Sequence, residues 1–483
     1  MALFLKDKNI ININKNAKKA LADKTLQANL KKATAEAVFK RNQAAAVSET
    51  FESSRDIAIA AREASISMLR KLSDEFVENC VKNNIKCFVF DDYESANAKI
   101  TDLIKERGAD FIVKSKSMLT EEIELNRHLK LNGIEAIETD LGEFIVSLAG
   151  EKPSHLTAPA LHKSRREVAR LFSEKLDMPY SEDPAQLSYF ARRYLRDKFM
   201  SARVGLTGAN FAVSDSGLIA VIENEANARL AINLPQTHIA VFGVEKIIRN
   251  LNDLPHFLNL LSKSATGQLL NAYTSIIGPP AEGKERFFII VTKRRFEIAA
   301  DPVFKEALRC IRCGACQNIC PVFQRLSGHG YEFCYGGPIG TVLAPFFIGY
   351  QKCAELIDAS TLCGFCKSIC PMKINLPALI LQHRFHYGAD KKIKKPLFKH
   401  LKKLFSYLHS LIMSNNVLSR VIQPFARLYF KITAAVFGRN YIPRWSVFSK
   451  RDFIGMAPKT FMESYFTKNK KKSREKEGDK NGN

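Results

Sequence analysis

The sequence predicts an α/β domain with a parallel sheet, then a mostly helical cysteine-rich domain and a basic C-terminal extension. Three observations carry this prediction: strand and helix patterns alternate through residues 55–300, two spaced runs between residues 310 and 371 contain seven cysteines, and lysine and arginine accumulate beyond residue 390. A chain of 483 residues is too long for one ordinary core. The predicted regions are a helical N-terminal arm (1–54), the α/β domain (55–300), the cysteine-rich domain (301–390), the basic extension (391–467) and a disordered tail (468–483).

The composition is that of a folded protein, with 46% hydrophobic and 25% charged residues. The formal net charge is +24, but 22 Lys and Arg face only 5 Asp and Glu between Lys391 and Asn483, so most of the excess lies in the tail. Eleven cysteines without an apolar leader predict a reducing compartment, and no apolar run reaches the roughly 18 residues that a membrane span needs. We therefore expect a soluble, cytoplasmic protein whose basic tail can contact the inner face of the membrane.

Alternating strand and helix patterns between residues 53 and 291 are typical of βαβ units and a parallel sheet. The predicted strands cover residues 85–90, 110–113, 135–139, 204–207, 211–213, 217–222, 230–233, 239–242 and 287–291. The predicted helices of this part cover residues 53–81, 94–108, 120–131, 164–176, 184–200 and 244–261.

Several polar features of the α/β domain could belong to a site. Residues 205–210 read GLTGAN, which is neither a dinucleotide nor a Walker motif, so a tight turn is favoured over a phosphate loop. Glu223 and Glu225 could perform acid–base or acyl-transfer chemistry. A solvated strand-end cluster with Arg229 as counter-charge is the commoner explanation. Each of three histidines is more often structural than functional when it stands alone: His155, His162 and His238.

The seven cysteines form two runs with related spacing. The first reads Cys310-Ile-Arg-Cys313-Gly-Ala-Cys316-Gln-Asn-Ile-Cys320-Pro, and the second reads Cys363-Gly-Phe-Cys366-Lys-Ser-Ile-Cys370-Pro. In bacterial ferredoxins with this spacing, three thiolates hold one [4Fe–4S] cluster and the fourth serves a neighbouring cluster. We therefore predict cluster one on Cys310, Cys313, Cys316 and Cys370, and cluster two on Cys320, Cys363 and Cys366.

Zinc is the main alternative to iron and sulfur. Zinc favours two CxxC pairs, which explains neither the third cysteine of the first run nor the ending that occurs twice. A disulfide framework suits short secreted chains rather than this one. The insertion between the runs, with a predicted helix over residues 342–356, is too long for a compact tandem ferredoxin. The pattern therefore favours a helical ferredoxin-like domain.

Cluster two lacks an obvious fourth ligand, because Ser360 stands three residues before Cys363 where a first cysteine would be expected. Cys334 or Cys353 could supply a thiolate, which is the preferred donor to iron–sulfur clusters. Alternatively, Ser360 or water ligates through oxygen, or the cluster is [3Fe–4S]. The residues leave these options open, so we expect [4Fe–4S] for both clusters with [3Fe–4S] as the alternative for the second.

The basic extension combines lysines with aromatic residues such as Phe398, Tyr407 and Phe425. This combination occurs in proteins that bind single-stranded nucleic acid or anionic lipid. We favour a helical extension that docks an acidic partner subunit, because an electron carrier needs a protein partner, and we expect no nucleic acid.

Six segments together resemble the lactate-utilization protein B family, the iron–sulfur subunit of the L-lactate oxidation complex. The resemblance covers about residues 55–450. The family has no cysteine at the position of Ser360, whereas Cys334 and Cys353 depart from its pattern. The matching segments are residues 204–212 (VGLTGANFA), 223–230 (ENEANARL), 238–241 (HIAV), 310–316 (CIRCGAC), 337–340 (GPIG) and 359–364 (ASTLCG).

The resemblance implies an α/β fold like that of ribose-5-phosphate isomerase and the CoA transferases. It also implies a cysteine-rich subunit and a smaller α/β subunit as partners, and electron transfer from L-lactate oxidation towards a respiratory acceptor. No catalytic residue follows from it, so this chain is expected to be a component of an oxidoreductase complex. The competing hypothesis is a ligand-binding or acyl-transfer enzyme that uses Glu223 or Glu225, with structural clusters.

Overall fold

The computed structural model describes residues 10–389 and 397–415, together with short pieces between residues 417 and 454. The chain divides into two compact units after Ile393. The predicted disordered tail, residues 468–483, lies outside the described residues.

Ten strands lie in the first unit and form two sheets. The strands are β1 (Lys86–Phe90), β2 (Phe111–Lys114), β3 (Glu135–Glu138), β4 (Val204–Thr207), β5 (Phe211–Val213), β6 (Leu218–Glu223), β7 (Thr237–Gly243), β8 (Ile247–Ile248), β9 (Tyr273–Ile277) and β10 (Glu285–Val291). The central sheet has six parallel strands in the order β1–β10–β7–β4–β2–β3, and the second sheet has the order β8–β5–β6–β9.

Nineteen α-helices lie within residues 10–389. They are α1 (Ile13–Ala22), α2 (Lys24–Ala46), α3 (Phe51–Ser67), α4 (Leu69–Lys82), α5 (Tyr93–Lys105), α6 (Met118–Glu122), α7 (Leu125–Leu131), α8 (Leu141–Leu148), α9 (Arg165–Leu176), α10 (Pro184–Ser201), α11 (Asn227–Asn233), α12 (Leu254–Ala265), α13 (Arg295–Ala300), α14 (Ala315–Asn318), α15 (Phe323–Leu326), α16 (Gly337–Ile348), α17 (Tyr350–Asp358), α18 (Phe365–Ile369) and α19 (Leu376–Ala389).

The parallel sheet is covered on both faces, as its continuous apolar strands require. On β7, Ile239 and Val241 pack with α5 and α7 on one face, while Ala240 and Phe242 pack with α4 and the second sheet on the other. The mixed α/β region with a parallel sheet is therefore confirmed. Between residues 301 and 389 the structure contains helices and turns, with no strand among these described residues.

The predicted strand over residues 230–233 is wrong, because these residues belong to α11. The Glu223 carboxylate accepts the backbone N–H groups of Ala228 (2.7 Å) and Arg229 (2.9 Å), which satisfies donors of the first helical turn. Helix α11 then packs directly on β4: a Cβ at Gly205 would lie 1.8 Å from the carbonyl oxygen of Ala231. Glycine at this position therefore serves helix–strand packing.

The predicted helix over residues 244–261 is wrong in its first half. Residues Val244–Lys246 form a 3-10 turn, β8 follows, and α12 begins only at Leu254 with a proline in its first turn. Strand β9 was not predicted. Three segments that were each predicted as one helix contain two helices. The break lies at Met68 in residues 53–81, at Glu124 in residues 120–131 and at Gly349 in residues 342–356.

The N-terminal arm is helical, and it packs against the cysteine-rich region. The backbone N–H of Ile11 donates to the carbonyl of Lys352 (2.9 Å), and the Gln27 side chain donates to the carbonyl of Arg325 (2.8 Å). Arg41 donates to the carbonyl of Ile369 (3.2 Å), next to the last cysteine. Helices α1 and α2 therefore hold segments that lie about 300 residues away in sequence.

The second unit contains helix α20 (Leu397–Ser414) and an antiparallel pair of short strands, β11 (Tyr441–Ile442) and β12 (Phe453–Ile454). Leu404, Leu408 and Leu411 of α20 are exposed and share one helix face. None of the helices that the structure describes is long and apolar enough to cross a membrane.

Candidate metal centres and an adjacent pocket

The two cysteine runs share one backbone conformation. Arg312 before Cys313 and Leu362 before Cys363 both have positive φ (61° and 54°). The glycine after each of these cysteines also has positive φ (75° at Gly314, 87° at Gly364) and is followed by a short helix, α14 or α18. Glycine favours this left-handed region because it has no Cβ. The runs are therefore structural repeats that align Cys313 with Cys363 and Cys316 with Cys366.

The repeat gives Ser360 a defined counterpart. In the first run the backbone N–H of Arg312 donates to Cys310 Sγ (3.4 Å). In the second run the backbone N–H of Leu362 donates to Ser360 Oγ (3.2 Å). Ser360 Oγ therefore makes the contact in the second run that Cys310 Sγ makes in the first.

The first thiol group, defined as Cys310, Cys313, Cys316 and Cys370, lines a single cavity of about 20 Å³. The cavity wall is otherwise apolar and includes Leu156, Ile339, Met372 and Ile374. Burial, and then the neighbouring charges of the other three cysteines, raise the pKa of Cys316. Both cysteine runs contribute to this group, so it depends on their packing.

The second thiol group, defined as Cys320, Cys363 and Cys366, lies nearer the surface. Burial, with the charges of Cys320 and Cys363, raises the pKa of Cys366 to about 12. Cys363 is exposed. The buried hydroxyl of Tyr331 hydrogen-bonds Cys320, and Tyr331 also interacts electrostatically with Cys316 and Cys366. Tyr331 therefore contacts the second group and lies close to the first.

Arginines surround the first thiol group. Arg55 donates to the carbonyls of Cys370 (2.9 Å) and Pro371 (3.1 Å), and Arg41 interacts electrostatically with Cys313 and Cys370. Arg62, 1% exposed, donates to the carbonyls of Glu245 (2.8 Å) and Ile247 (3.2 Å) and interacts with Cys310. These charges favour an anionic centre at this position.

The donor set fits an iron–sulfur cluster. Soft thiolates are the preferred ligands of iron–sulfur clusters. Four thiols share one cavity in which their mutual charge and burial disfavour ionisation, and iron would relieve both effects by neutralising the thiolates. Of the other candidates, Cys353 Sγ donates to the Gly349 carbonyl (3.2 Å) within its own helical region. Cys334 interacts with Tyr93 and lines a different cavity, with Glu332 and Phe333.

A larger cavity, the carboxyl-edge pocket, lies where β2, β4 and β7 end. Its volume is about 290 Å³, and its wall contains Ser115 and Lys116 after β2, Gly208 after β4, and Glu245 and Lys246 after β7. Arg312 and Tyr335 of the cysteine-rich region complete the wall. The pocket therefore joins the parallel sheet to the first cysteine run.

A buried ionic network lies beside this pocket. Arg295 donates to Glu122 (2.9 and 3.0 Å) and to Glu245 (2.5 Å), and the Tyr335 hydroxyl donates to Glu122 (2.6 Å). Burial opposes ionisation of Glu245, but Arg295 and Arg312 lower its pKa to about 2. Burial, followed by the charge of Arg312, lowers the pKa of Lys246 to about 8. Buried carboxylates here are thus matched by arginines of both regions.

Glu223 and Glu225 also line the carboxyl-edge pocket. Burial raises the pKa of both, although Glu223 accepts two backbone N–H groups and Glu225 accepts the N–H of Leu141 (3.1 Å). The predicted counter-charge, Arg229, lies over the Tyr273 ring (5.0 Å). Glu223 is therefore a partly buried group that caps α11, and Glu225 is an exposed group that caps α8; both lie in the pocket wall.

The three histidines each have local partners. His155 Nε2 contacts Asn318 Oδ1 (3.0 Å), His162 Nε2 contacts Glu151 (2.6 Å), and His238 Nε2 contacts Thr207 Oγ1 (2.9 Å). Burial lowers the pKa of all three, to about 3 for His155 and His238. These contacts agree with structural roles.

The residues of these sites that were not predicted include Lys116, Lys246, Arg312 and Tyr331. A signal existed for the first two, because each follows a parallel strand and the carboxyl ends of such strands meet at one edge, where ligands commonly bind. Because residues 244–261 were predicted as one helix, Lys246 was not recognised as a residue that follows the end of a parallel strand. The contact between Tyr331 and Cys320 depends on packing of the segment between the runs, which the spacing does not report.

Comparison with known proteins adds two family matches. A LUD domain model matches residues 73–297, and a 4Fe-4S dicluster domain model matches residues 306–374. Lactate utilization protein B of Bacillus cytotoxicus is 42% identical over 335 residues, covering 68% of this chain and 70% of that protein. The Bacillus cereus protein of the same name is 41% identical over 334 residues, with the same coverage. A solved DUF162 family protein from Deinococcus radiodurans covers 46% of this chain and 98% of its own, at 12% identity and a TM-score of 0.26.

Proposed function

Because the chain belongs to the lactate utilization protein B family, we propose that it is the iron–sulfur electron-transfer subunit of a multisubunit complex that oxidises L-lactate to pyruvate. The observation that carries the proposal is the arrangement of the two thiol groups. The first is enclosed beside the carboxyl-edge pocket, and the second includes the exposed Cys363. Clusters bound there would each accept and pass on one electron at a time.

The protein side chains have separate roles in this relay. The seven cysteine thiolates hold the two centres, and Arg41, Arg55 and Arg62 supply positive charge around the first. The exposed edge at Cys363 gives a partner close access to the second centre. The carboxyl-edge location of the pocket is also consistent with the α/β fold that the resemblance implies, which stays a prediction.

We propose Ser360 Oγ as the fourth ligand position of the second centre. The support is the matching pair of contacts, from Arg312 N–H to Cys310 Sγ and from Leu362 N–H to Ser360 Oγ. Arg384 also donates to the Ser360 carbonyl (2.9 Å) and fixes this turn. A [4Fe–4S] cluster at both positions follows from this assignment.

The proposed partners are a cysteine-rich subunit, a smaller α/β subunit and a respiratory electron acceptor. The exposed leucine face of α20, within a basic segment, supports docking of an acidic, partly apolar partner surface. The proposed location is cytoplasmic, with contact of this segment at the membrane as the alternative use of the same face.

Anaerobic purification of the complex from its native cell tests the relay. We expect iron and labile sulfide in nearly equal amounts and electron paramagnetic resonance signals from reduced clusters after addition of L-lactate. The complex with Cys366→Ser should lose signals of the second centre, while Ser368→Ala, a change at a neighbouring exposed position, should retain them. Stoichiometric zinc without sulfide would contradict the proposal.

A second candidate function is supported by the position of Glu223 and Glu225 in the pocket wall. In that case the α/β region is a ligand-binding or acyl-transfer enzyme, and the clusters are structural. Glu223→Gln and Glu225→Gln separate the two, with exposed Glu135→Gln as the matched control. Survival of lactate-dependent cluster reduction in both variants would remove this second candidate.

A further inference from the structure

We propose that the carboxyl-edge pocket binds a small organic carboxylate that carries a hydroxyl or carbonyl oxygen beside its carboxyl group. Arg312, Lys246 and Lys116 would hold the carboxylate. This inference deepens the proposed function and rests on it only for the choice of lactate and pyruvate as the probes.

The position of the pocket supports a ligand. The chain passes from β2 outward to β3 and then returns to β4 on the other side of β2. Such a reversal opens a crevice at the carboxyl ends of parallel strands, where ligands bind in open α/β sheets. The volume of about 290 Å³ lies at the lower end of ligand pockets, roughly 300–1,000 Å³, which indicates a small molecule.

Buried cations without hydrogen-bond acceptors indicate that the ligand is an anion. The Arg312 side chain is 10% exposed, and its Nη2 atom lies 3.6 Å from Glu245 Oε1, but its Nε and Nη1 atoms have no hydrogen-bond partner among the described residues. Lys116 Nζ is also buried without a hydrogen-bond partner among the described residues, and the Glu143 carboxylate lies 3.7 Å away from it. Buried donors without acceptors are destabilising. A carboxylate would satisfy the planar guanidinium through two parallel hydrogen bonds.

The remaining wall indicates what else the ligand carries. Asn210, Asn224 and Asn227 provide amide donors and acceptors, while Glu223 and Glu225 provide carboxylate acceptors. A neutral hydroxyl or carbonyl group fits these side chains. The carboxylates disfavour nucleotides and other polyanions, because their charge would be brought close to several negative groups. A small monocarboxylate therefore fits better than a phosphate ester.

The pocket and the first thiol group share Arg312. Its side chain lines the pocket, and its backbone N–H donates to Cys310 Sγ (3.4 Å). An anion on this arginine would place negative charge close to the first centre. We therefore expect ligand binding to shift the reduction potential of the first centre to more negative values.

Anaerobic calorimetric titration of the full-length, cluster-loaded protein tests the proposal, with L-lactate, pyruvate and propionate as separate probes. We expect saturable binding of lactate and pyruvate with one site per chain. Propionate, which lacks the second oxygen group, should bind at least about tenfold more weakly. Lys246→Met and Lys116→Met should weaken lactate binding by about tenfold or more, as removal of a charged hydrogen-bond partner requires.

Lys130→Met, a change at an exposed lysine that does not line the pocket, is the matched control and should bind lactate normally. Lactate binding by Arg312→Gln is measured as well, and its iron content checks that the first centre is intact. Unaltered lactate affinity in both lysine variants, or no saturable binding of lactate and pyruvate, would overturn the pocket assignment. If the pocket assignment fails in this way, lactate-dependent cluster reduction in the complex would still support the proposed electron transfer. Saturable lactate binding without cluster reduction would refute the electron transfer and leave the pocket assignment standing.

Discussion

The two cysteine runs share one spacing and one backbone conformation, but the two thiol groups that they form have different surroundings. The first thiol group lies behind Leu156, Ile339 and Ile374, and it is bordered by Arg41 of α2 and by Arg55 and Arg62 of α3. The second thiol group includes the exposed Cys363, and the nearby residue Phe365 is 55% exposed. The difference shows that the environment of each centre is set by the segments that cover it, since the repeat itself is shared.

This asymmetry suits a relay with an inner and an outer end. In the proposed relay, the first centre is the inner end beside the carboxyl-edge pocket, and the second centre, which includes the exposed Cys363, is the outer end. Because reduction potential depends on charge, hydrogen bonding and exposure, the two centres should also differ in potential.

The largest difference should appear when one cysteine of each group is removed. Cys316→Ser should lose the first centre, about four iron atoms, and lower the melting temperature strongly, because both runs and the arm pack around it. Cys363→Ser should lose iron at the second centre with a smaller change in melting temperature. Anaerobic iron and sulfide analysis with thermal unfolding measures both. Equal losses of stability in the two variants would show that enclosure does not distinguish the groups.

Accessibility provides a second measure of the contrast. In the cluster-free full-length protein, a maleimide should label Cys363 roughly tenfold or more faster than Cys313, because thiol reactivity requires exposure as well as ionisation. Mass spectrometry of peptides gives the two rates, with half-buried Cys87 as an internal reference. Comparable rates for Cys363 and Cys313 would mean that the enclosure of the first group depends on the cluster itself.

Much of this contrast lies beyond what the sequence can predict. Strands such as β1, β2 and β4 follow from local apolar patterns, and the spacing indicates which cysteines belong to each run. Contacts between distant segments do not follow, because nothing in residues 11–55 specifies contact with residues 325–371. Leu230-Ala-Ile-Asn233 is apolar enough for a strand, but capping by Glu223 and packing on Gly205 make it helical. Propensity was overridden there by tertiary structure.

Substitution of Ser360 tests the proposal that its hydroxyl is the fourth ligand of the second centre. Ser360→Cys should give a four-thiolate centre with altered resonance signals and greater resistance to oxygen, because thiolate is the better donor. Ser360→Ala should favour loss of one iron and a [3Fe–4S] signal. Ser368→Ala, on the neighbouring helix α18, is the control. If Ser360→Ala retains the iron content and spectrum of the unsubstituted protein, Ser360 is not a ligand.

The pH dependence of stability should depend on His155, which contacts Asn318 of the first run. His155 Nδ1 accepts the N–H groups of Thr157 and Ala158 (3.1 Å each), so Nε2 carries the proton and donates to Asn318. Burial, and then Lys116, lower the pKa of His155 to about 3, against about 6.5 in an unfolded chain. Between these values the unfolded state binds the proton and the folded state does not, so stability falls as the pH falls.

For one histidine, this linkage removes about 2 kcal/mol of unfolding free energy between pH 7 and pH 5. His155→Gln should reduce the difference between urea unfolding free energies at pH 7 and pH 5 by about that amount. His409→Gln, at an exposed position of α20, should leave the difference unchanged. An unchanged difference in His155→Gln would mean that this histidine is not held neutral by the fold.

The smallest expected effect concerns the link between the two groups. The buried Tyr331 hydroxyl hydrogen-bonds Cys320, and such a bond stabilises the more negative, reduced centre. Tyr331→Phe should therefore lower the potential of the second centre by about 20–65 mV, the equivalent for one electron of roughly 0.5–1.5 kcal/mol per hydrogen bond. Redox titration followed by electron paramagnetic resonance measures the shift, and Tyr335→Phe, whose hydroxyl donates to Glu122, is the control. An equal shift of both centres in Tyr331→Phe would assign the effect to general repacking, because only the second group contains the thiolate that this hydroxyl contacts.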